Sequence, residues 1–314
     1  MPQISLHKDA RVPLGREARR LRALAIALTG LALFVFALLD TTAKFLSADY
    51  STLQIAWLRY VFHALVVLLA FLPVEGRALL HTRRPKLQFA RSVLICGSTV
   101  FNFTALATLR LDQAVTLSFA APFLIVLFAS PLLGERIGLK RVLIVGVGFF
   151  GVLLVTRPGF GAFEWAYLLA FANAVVTAFY NMATRAVSAY DRSTTSIVMN
   201  SVFAIIALAP VMPFVWVWPD GLRDWLLFAL MGVFGGGGHL LLIMAHARAP
   251  ASALAPYLYM ELIWMILLGW IVFADVPDGW TLAGAAVVIL AGLYLFWSER
   301  GRRKPSEAVE ASIE

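Results

Sequence analysis

Charge is scarce in this sequence: Asp, Glu, Lys and Arg make up 14% of its 314 residues, where a soluble domain carries about 25%. With 61% hydrophobic residues, that scarcity excludes an ordinary soluble domain and implies a chain that crosses a membrane many times. Cysteine is nearly absent. Cys96 stands alone, which excludes a disulfide within the chain and any cysteine metal site. His63, His239 and His246 have no metal-ligand spacing, so no metal is expected, and no motif asks for a cofactor. The chain has no Gly-x-x-x-x-Gly-Lys-Ser/Thr loop, so primary coupling to ATP has no sequence support. Long polar connections are missing as well, which leaves no room for an extramembrane domain. The net charge of +8 would suggest nucleic acid in a soluble chain. Here the basic residues fall in short connections between apolar runs, so no nucleic-acid partner is expected and the bilayer explains them.

What is present is a series of ten apolar runs, at 23–46, 52–73, 88–109, 113–133, 138–156, 163–184, 194–217, 223–245, 251–273 and 280–297. About 20 apolar residues in a helix span the hydrocarbon of a bilayer, so these predict an all-α integral membrane protein of ten transmembrane helices. The first run is too long for a signal-peptide core and is expected to be a retained span. Placing the N-terminus in the cytoplasm puts the basic tail there, together with Arg77, Arg83, Arg84, Lys86, Lys140, Arg141, Arg185, Arg192 and Arg248. The other side receives only Lys44, Arg110, Arg157 and Arg223. The positive-inside rule therefore predicts that both termini are cytoplasmic, with the tail Arg302-Arg303-Lys304 as a further orientation signal or lipid anchor.

The halves repeat. Leu39-Asp40-Thr41-Thr42-Ala43-Lys44 matches Tyr180-Asn181-Met182-Ala183-Thr184-Arg185 at an offset of 141, Ser51-Thr52-Leu53-Gln54-Ile55 echoes Ser193-Thr194-Thr195-Ser196-Ile197 at 142, and Ala107-Thr108-Leu109-Arg110 echoes Ala245-His246-Ala247-Arg248 at 138. Five spans per copy is odd, so the second copy must be inverted. Inverted repeats characterise secondary transporters, with the solute site near the midplane between the halves.

Intramembrane polar residues mark where that site should be. Glu261 lies ten residues into its apolar run, about 15 Å deep at 1.5 Å per residue, and a carboxylate at that depth usually faces a bundle interior or a solute path. At continuous helical spacing Tyr257, Glu261 and Trp264 share one face. His63 and Asn173 fall in the same midplane layer, and Phe101-Asn102-Phe103-Thr104 is a candidate lining for the outer half of a cavity. Asp40 and Arg59 lie at a common depth of about 10 Å. They are expected to be partners or near neighbours, as a gate or as an ion pair that holds the fold. Gly235-Gly236-Gly237-Gly238-His239 is expected to serve close packing and bending near an inner gate, with Gly237 and His239 as the candidates there. The small-residue runs at 138–156 and 280–297 are expected to pack peripherally or to form a homodimer surface. The aromatic residues Tyr257, Tyr259, Trp264, Phe101 and Phe103 beside an acid suit a cationic or zwitterionic solute with a planar ring. If transport is proton-coupled, Glu261 is the expected titrating group.

Two inverted five-span repeats with Ala121-Pro122-Phe123 leading to Gly134-Glu135, and Ala255-Pro256-Tyr257 leading to Ala274-Asp275, resemble the drug/metabolite transporter superfamily, EamA type. The small-residue spans that follow (Gly146, Gly148, Gly151; Gly284, Ala285, Ala286, Gly292) and Arg59 match the same pattern; Asp275 departs from its usual Gly-Glu. The resemblance implies a basic tail at 1–22, repeats at 23–157 and 160–298, a second tail at 299–314, and a central cavity in a bacterial-type inner membrane. The run Ala255–Leu262, with Pro277-Asp278 and Trp280-Thr281-Leu282, is similar to a subgroup that includes bacterial S-adenosylmethionine uptake carriers. Riboflavin carriers and amino-acid exporters are more distant comparisons. A membrane-embedded enzyme would need convergent catalytic groups, and a channel would need rings of like polar residues along a span; the sequence offers neither.

Overall fold

The computed structural model describes residues 16–133, 138–157 and 164–300. Glu135, the first 15 residues and the tail with Arg302-Arg303-Lys304 therefore lie outside the described residues. Among those described there is no strand, and ten helices are long and apolar enough to cross a membrane. They are α1 (Arg16–Leu46), α2 (Thr52–Glu75), α3 (Pro85–Leu106), α4 (Leu111–Ser118, resuming as Ala121–Leu133), α5 (Leu139–Thr156), α6 (Ala166–Val187), α7 (Ser193–Leu208), α8 (Gly221–His246), α9 (Ala251–Leu254, Ala255–Tyr259 and Met260–Phe273) and α10 (Gly279–Arg300). Each coincides with one of the ten apolar runs.

Packing follows a pseudo-twofold exchange of the halves. Helix α1 packs on α8 as α6 packs on α3; α1 meets α9 as α6 meets α4; α2 packs on α7, and α5 on α10. Every helix thus finds its partner in the other repeat, as expected of two inverted five-helix copies. The α5–α10 pair approaches to backbone distance: a Cβ on Gly284 would lie 2.6 Å from the Gly151 carbonyl, and one on Gly151 would lie 2.9 Å from the Gly284 carbonyl. Small residues permit such approach, and dispersion then drives association where no hydrophobic force exists between helices in lipid. These glycines of the small-residue spans thus serve packing within the chain.

Glycines of α8 do the same against α1 and α2. Gly232 meets the backbone of Phe62 and His63, and Gly238 meets the Phe36 ring. Helix α8 runs unbroken through all four consecutive glycines, and Gly238 serves the close packing expected of the run, as Gly232 does. Interruptions occur instead in α4 and α9, at residues 119–120 and 255–259, and near the end of the seventh span, at Ala209–Val211. The second contains Pro256, whose ring and missing N–H disfavour a continuing α-helix.

An even number of crossings puts the start of α1 and the end of α10 on one face. The connections at 76–84, 188–192 and 247–250 lie there, and it is called the basic face below. The opposite face carries the connections at 47–51, 107–110, 216–220 and 274–278.

Candidate functional site

A cavity of about 920 Å³ lies between the repeats. Its floor is near the midplane, and its walls run to Arg141, Arg185 and Phe296, at the basic-face ends of α5, α6 and α10. It is thus entered from the basic face.

The floor is polar, and each group comes from a different helix. Asp40 of α1 accepts hydrogen bonds from Asn102 Nδ2 of α3 at both carboxylate oxygens, at 3.2 and 3.3 Å. Arg59 of α2 donates from Nη1 to Thr99 Oγ1 at 3.1 Å, and its guanidinium lies 4.6 Å from the Tyr60 ring centroid. Its Nε is buried without a partner. Asn173 of α6 accepts from Ser98 and donates to Ser118, so one amide joins α3, α6 and the first part of α4. Glu261 borders the cavity from α9, and its carboxylate accepts no hydrogen bond and forms no ion pair with any described residue.

The interruptions of α4 and α9 face this space. Phe119, in the break of α4, and Tyr259, in the break of α9, pack edge to face with centroids 5.0 Å apart. Both border the cavity. Gly292 makes room for Tyr259, since a Cβ there would overlap the phenol oxygen. Discontinuous helices meeting at a repeat interface are the usual construction of a carrier's solute site.

Several expected residues lie elsewhere. Tyr257 and Trp264 do not border the cavity. Residues 255–259 form a 3₁₀ turn, with three residues per turn rather than 3.6, so Tyr257 leaves the face of Glu261. Trp264 turns toward α1 and packs on Phe34, at a centroid distance of 5.0 Å. Phe101 is also off the cavity, which takes Asn102 and Phe103 instead. His63 is buried between helices, with Nδ1 3.2 Å from Ser201 Oγ and its ring stacked on His239 at 5.8 Å. A Cβ on Gly237 would touch nothing. His239 does border the cavity, edge to face with Phe36. Asp40 and Arg59 share the floor but make no direct ion pair: the Asp40 carboxylate is occupied by Asn102 and the guanidinium by Thr99 and two aromatic rings.

Residues absent from the sequence-based candidates include Ser98 and Thr99 of α3 and Thr177, Tyr180 and Asn181 of α6. A signal existed for them. Asn173, Thr177, Tyr180 and Asn181 stand at i, i+4, i+7 and i+8, a polar stripe on one face of an otherwise apolar helix.

On the opposite face Lys44, Arg157 and Arg223 join separate elements, while Arg110 pairs within its own segment. Lys44 Nζ donates to the Leu109 carbonyl at 2.7 Å and the Leu106 carbonyl at 3.3 Å, at the C-terminal end of α3, where a helix presents its partial negative charge. Arg157 pairs with Asp278, and Arg110 with Asp112. Arg223 lies over the Phe45 ring. Tyr50 donates to Asp224, and Gln54 exchanges two hydrogen bonds with the Val217 backbone, which ties the 47–51 and 216–220 connections together.

Comparison with known proteins agrees with this architecture. The model of the EamA-like transporter family matches residues 23–157 and again 164–298. An S-adenosylmethionine uptake transporter of Rickettsia felis is 28% identical over 287 residues, which cover 88% of this chain and 96% of that protein. A riboflavin transporter of Rhizobium johnstonii is 28% identical, over 90% of this chain and 94% of its own. A pseudopaline exporter of Pseudomonas aeruginosa is 27% identical, over 88% and 97%. A crystal structure 20% identical in sequence shares the fold, with a TM-score of 0.58, covering 92% of this chain and 99% of that one.

Proposed function

Because this chain belongs to the EamA-like transporter family, we propose that it carries a small cationic or zwitterionic metabolite with a planar ring across the inner membrane. Its ten spans and its bacterial relatives make it a multi-pass inner-membrane transporter. The reading of the solute rests on one observation above all: a carboxylate, Glu261, at a cavity floor with no partner among the described residues. Ionisable groups in a membrane are costly unless paired, so a carboxylate left without a partner is suited to a cation that arrives with the solute. Phe119, Tyr259 and Phe103 supply aromatic faces beside it, for stacking and cation–π contact. A volume of about 920 Å³ falls within the range of metabolite-sized pockets. S-adenosylmethionine meets the requirements of charge and ring together; a riboflavin-type carrier is the second reading, favoured by the relative named for riboflavin, with an amino-acid exporter as a further alternative.

Transport proceeds by alternating access. The cavity opens to the basic face while Lys44 and Arg157 hold the other face shut, and rocking of the repeats exchanges the two. The termini and the basic face are assigned to the cytoplasm on their Lys and Arg content. Proton coupling through Glu261 is part of this reading only if uptake responds to a pH gradient.

The test is uptake of radiolabelled S-adenosylmethionine into proteoliposomes, with riboflavin and aromatic amino acids in parallel. Glu261→Gln is expected to reduce uptake at least about tenfold while leaving the ligand-free melting temperature unchanged, since the side chain bonds to no described residue. Uptake that survives the substitution would remove Glu261 from the solute site. Equal rates with and without a pH gradient would remove the proton.

A further inference from the structure

The floor of the cavity holds two carboxylates and one guanidinium, and the three are not equivalent. Asp40 is fixed by Asn102 through both oxygens. Glu261 has no hydrogen-bond or ion-pair partner among the described residues. Arg59 is 93% buried by its 7% exposure, anchored at Nη1 by Thr99 and held flat against Tyr60, with Nε orphaned. Its Nε is shut in beside Gly235 of α8, which leaves the Nη end, at the cavity, to receive a carboxylate through a charge-assisted bond. We propose that the site divides the charges of its ligand: Arg59 takes a carboxylate, while Asp40 and Glu261 take two separate cationic centres. The class this selects is an amino acid bearing a second cation, a sulfonium or a second ammonium, with net charge +1. It rests on the metabolite-carrier reading above and narrows it.

Four ligands separate the terms in binding titrations with the purified full-length protein: S-adenosylmethionine, S-adenosylhomocysteine (no sulfonium charge), decarboxylated S-adenosylmethionine (no carboxylate) and riboflavin (no cation). Wild type is expected to bind the first at least about tenfold more tightly than the second. Arg59→Met should weaken S-adenosylmethionine about tenfold or more and leave the decarboxylated ligand unchanged, as loss of a charge-assisted bond to one group requires. Equal weakening of both ligands would show that Arg59 only supports the fold. Homocysteine and methionine forms binding alike would also overturn the proposal. If riboflavin alone binds, the carrier reading stands and the charge division falls; if none binds, both fall.

A second inference rests on the repeat rather than on the floor. Lys44 clamps the carbonyl end of α3 and closes the opposite face. At the offset of 141 its counterpart is Arg185, and the counterpart of the α3 end is the C-terminal end of α8, residues 244–247. In this structure Arg185 is exposed at the cavity mouth, and its guanidinium makes no bond with a described residue. We infer that the two cations are alternate locks: when the opposite face opens, Lys44 leaves α3 and Arg185 docks on the end of α8, beside Arg248, which already donates to the Met244 carbonyl at 2.7 Å.

In a Cys96→Ser background, a cysteine at Phe103 reports access from the opposite side through labelling by an impermeant maleimide. Lys44→Met is expected to raise that labelling several-fold and Arg185→Met to lower it, with Lys44→Arg close to wild type. No change in either variant, or a change of the same sign in both, would overturn the exchange.

Discussion

Glu261 and Arg91 are both charged side chains inside spans, and the fold treats them in opposite ways. Glu261 is left without a partner among the described residues at the cavity floor. Arg91, 4% exposed, donates to Thr184, the Ser196 carbonyl, Asn200 and Tyr180, and so rivets α3 to α6 and α7. Removing it leaves buried acceptors unsatisfied, at about 1–3 kcal/mol each. Arg91→Met is therefore expected to lower the melting temperature by at least about 5 °C, measured by thermal unfolding in detergent. Outside the bilayer, Asp278 is held below the ordinary carboxylate range: burial pushes it up, but donors from Thr281 and the Arg157 guanidinium outweigh that. A depressed folded value gives stability that is complete above the unfolded value near 3.9 and is lost as pH falls through the folded one. Asp278→Asn should then lower the melting temperature equally at pH 8 and pH 5.5, with the gap closing only below about pH 4. A gap that already fades between pH 8 and 6 would contradict the assignment.

Among the helices, glycine content alone misleads. Four consecutive glycines in α8 leave the helix intact, while the breaks occur in α4 and α9, where Phe119 and Tyr259 meet at the cavity. Each glycine of α8 has its own circumstances. Gly232 lies against the backbone of α2, 2.5 Å from Phe62 C for a built Cβ, whereas the same atom on Gly237 has nothing within 4 Å. Gly232→Ala must force α2 and α8 apart and is expected to destabilise the protein by about 1–3 kcal/mol. Gly237→Ala gains about 1 kcal/mol of helix propensity and should be neutral or stabilising. Paired melting curves decide it; equal losses at both positions would mean that the glycines act by flexibility.

For the whole molecule, the unequal faces are the main result. Near the basic face a second tie mirrors the first: Asp191 accepts from Thr82, the Arg83 backbone and Gln88, joining the 76–84 and 188–192 connections as Gln54 and Tyr50 join their counterparts. The α2–α7 pair is thus pinned at both ends, and the remaining helices supply the asymmetry between open and closed. Orientation is checked in intact cells with the Cys96→Ser protein. A cysteine at Asp49 is expected to react with an impermeant maleimide and one at Ser188 to be protected; the reverse pattern would invert the assignment of faces.

Composition and spacing were enough to read ten spans, an odd-numbered inverted repeat and a midplane carboxylate, because lipid imposes length and polarity on each helix separately. Asp40, Asn102, Asn173 and Glu261 were legible for the same reason: a polar group in an apolar run stands out wherever its partners are. Their neighbours were not. Whether Tyr257 or Tyr259 flanks Glu261 depends on a 3₁₀ turn that shifts the helical phase, and whether Asp40 meets Arg59 or Asn102 depends on which helix lies across from it. The glutamate that stood out in one apolar run came to border a cavity only when α1, α2, α3 and α6 converged on it, since depth is a property of one helix and facing is a property of several packed together.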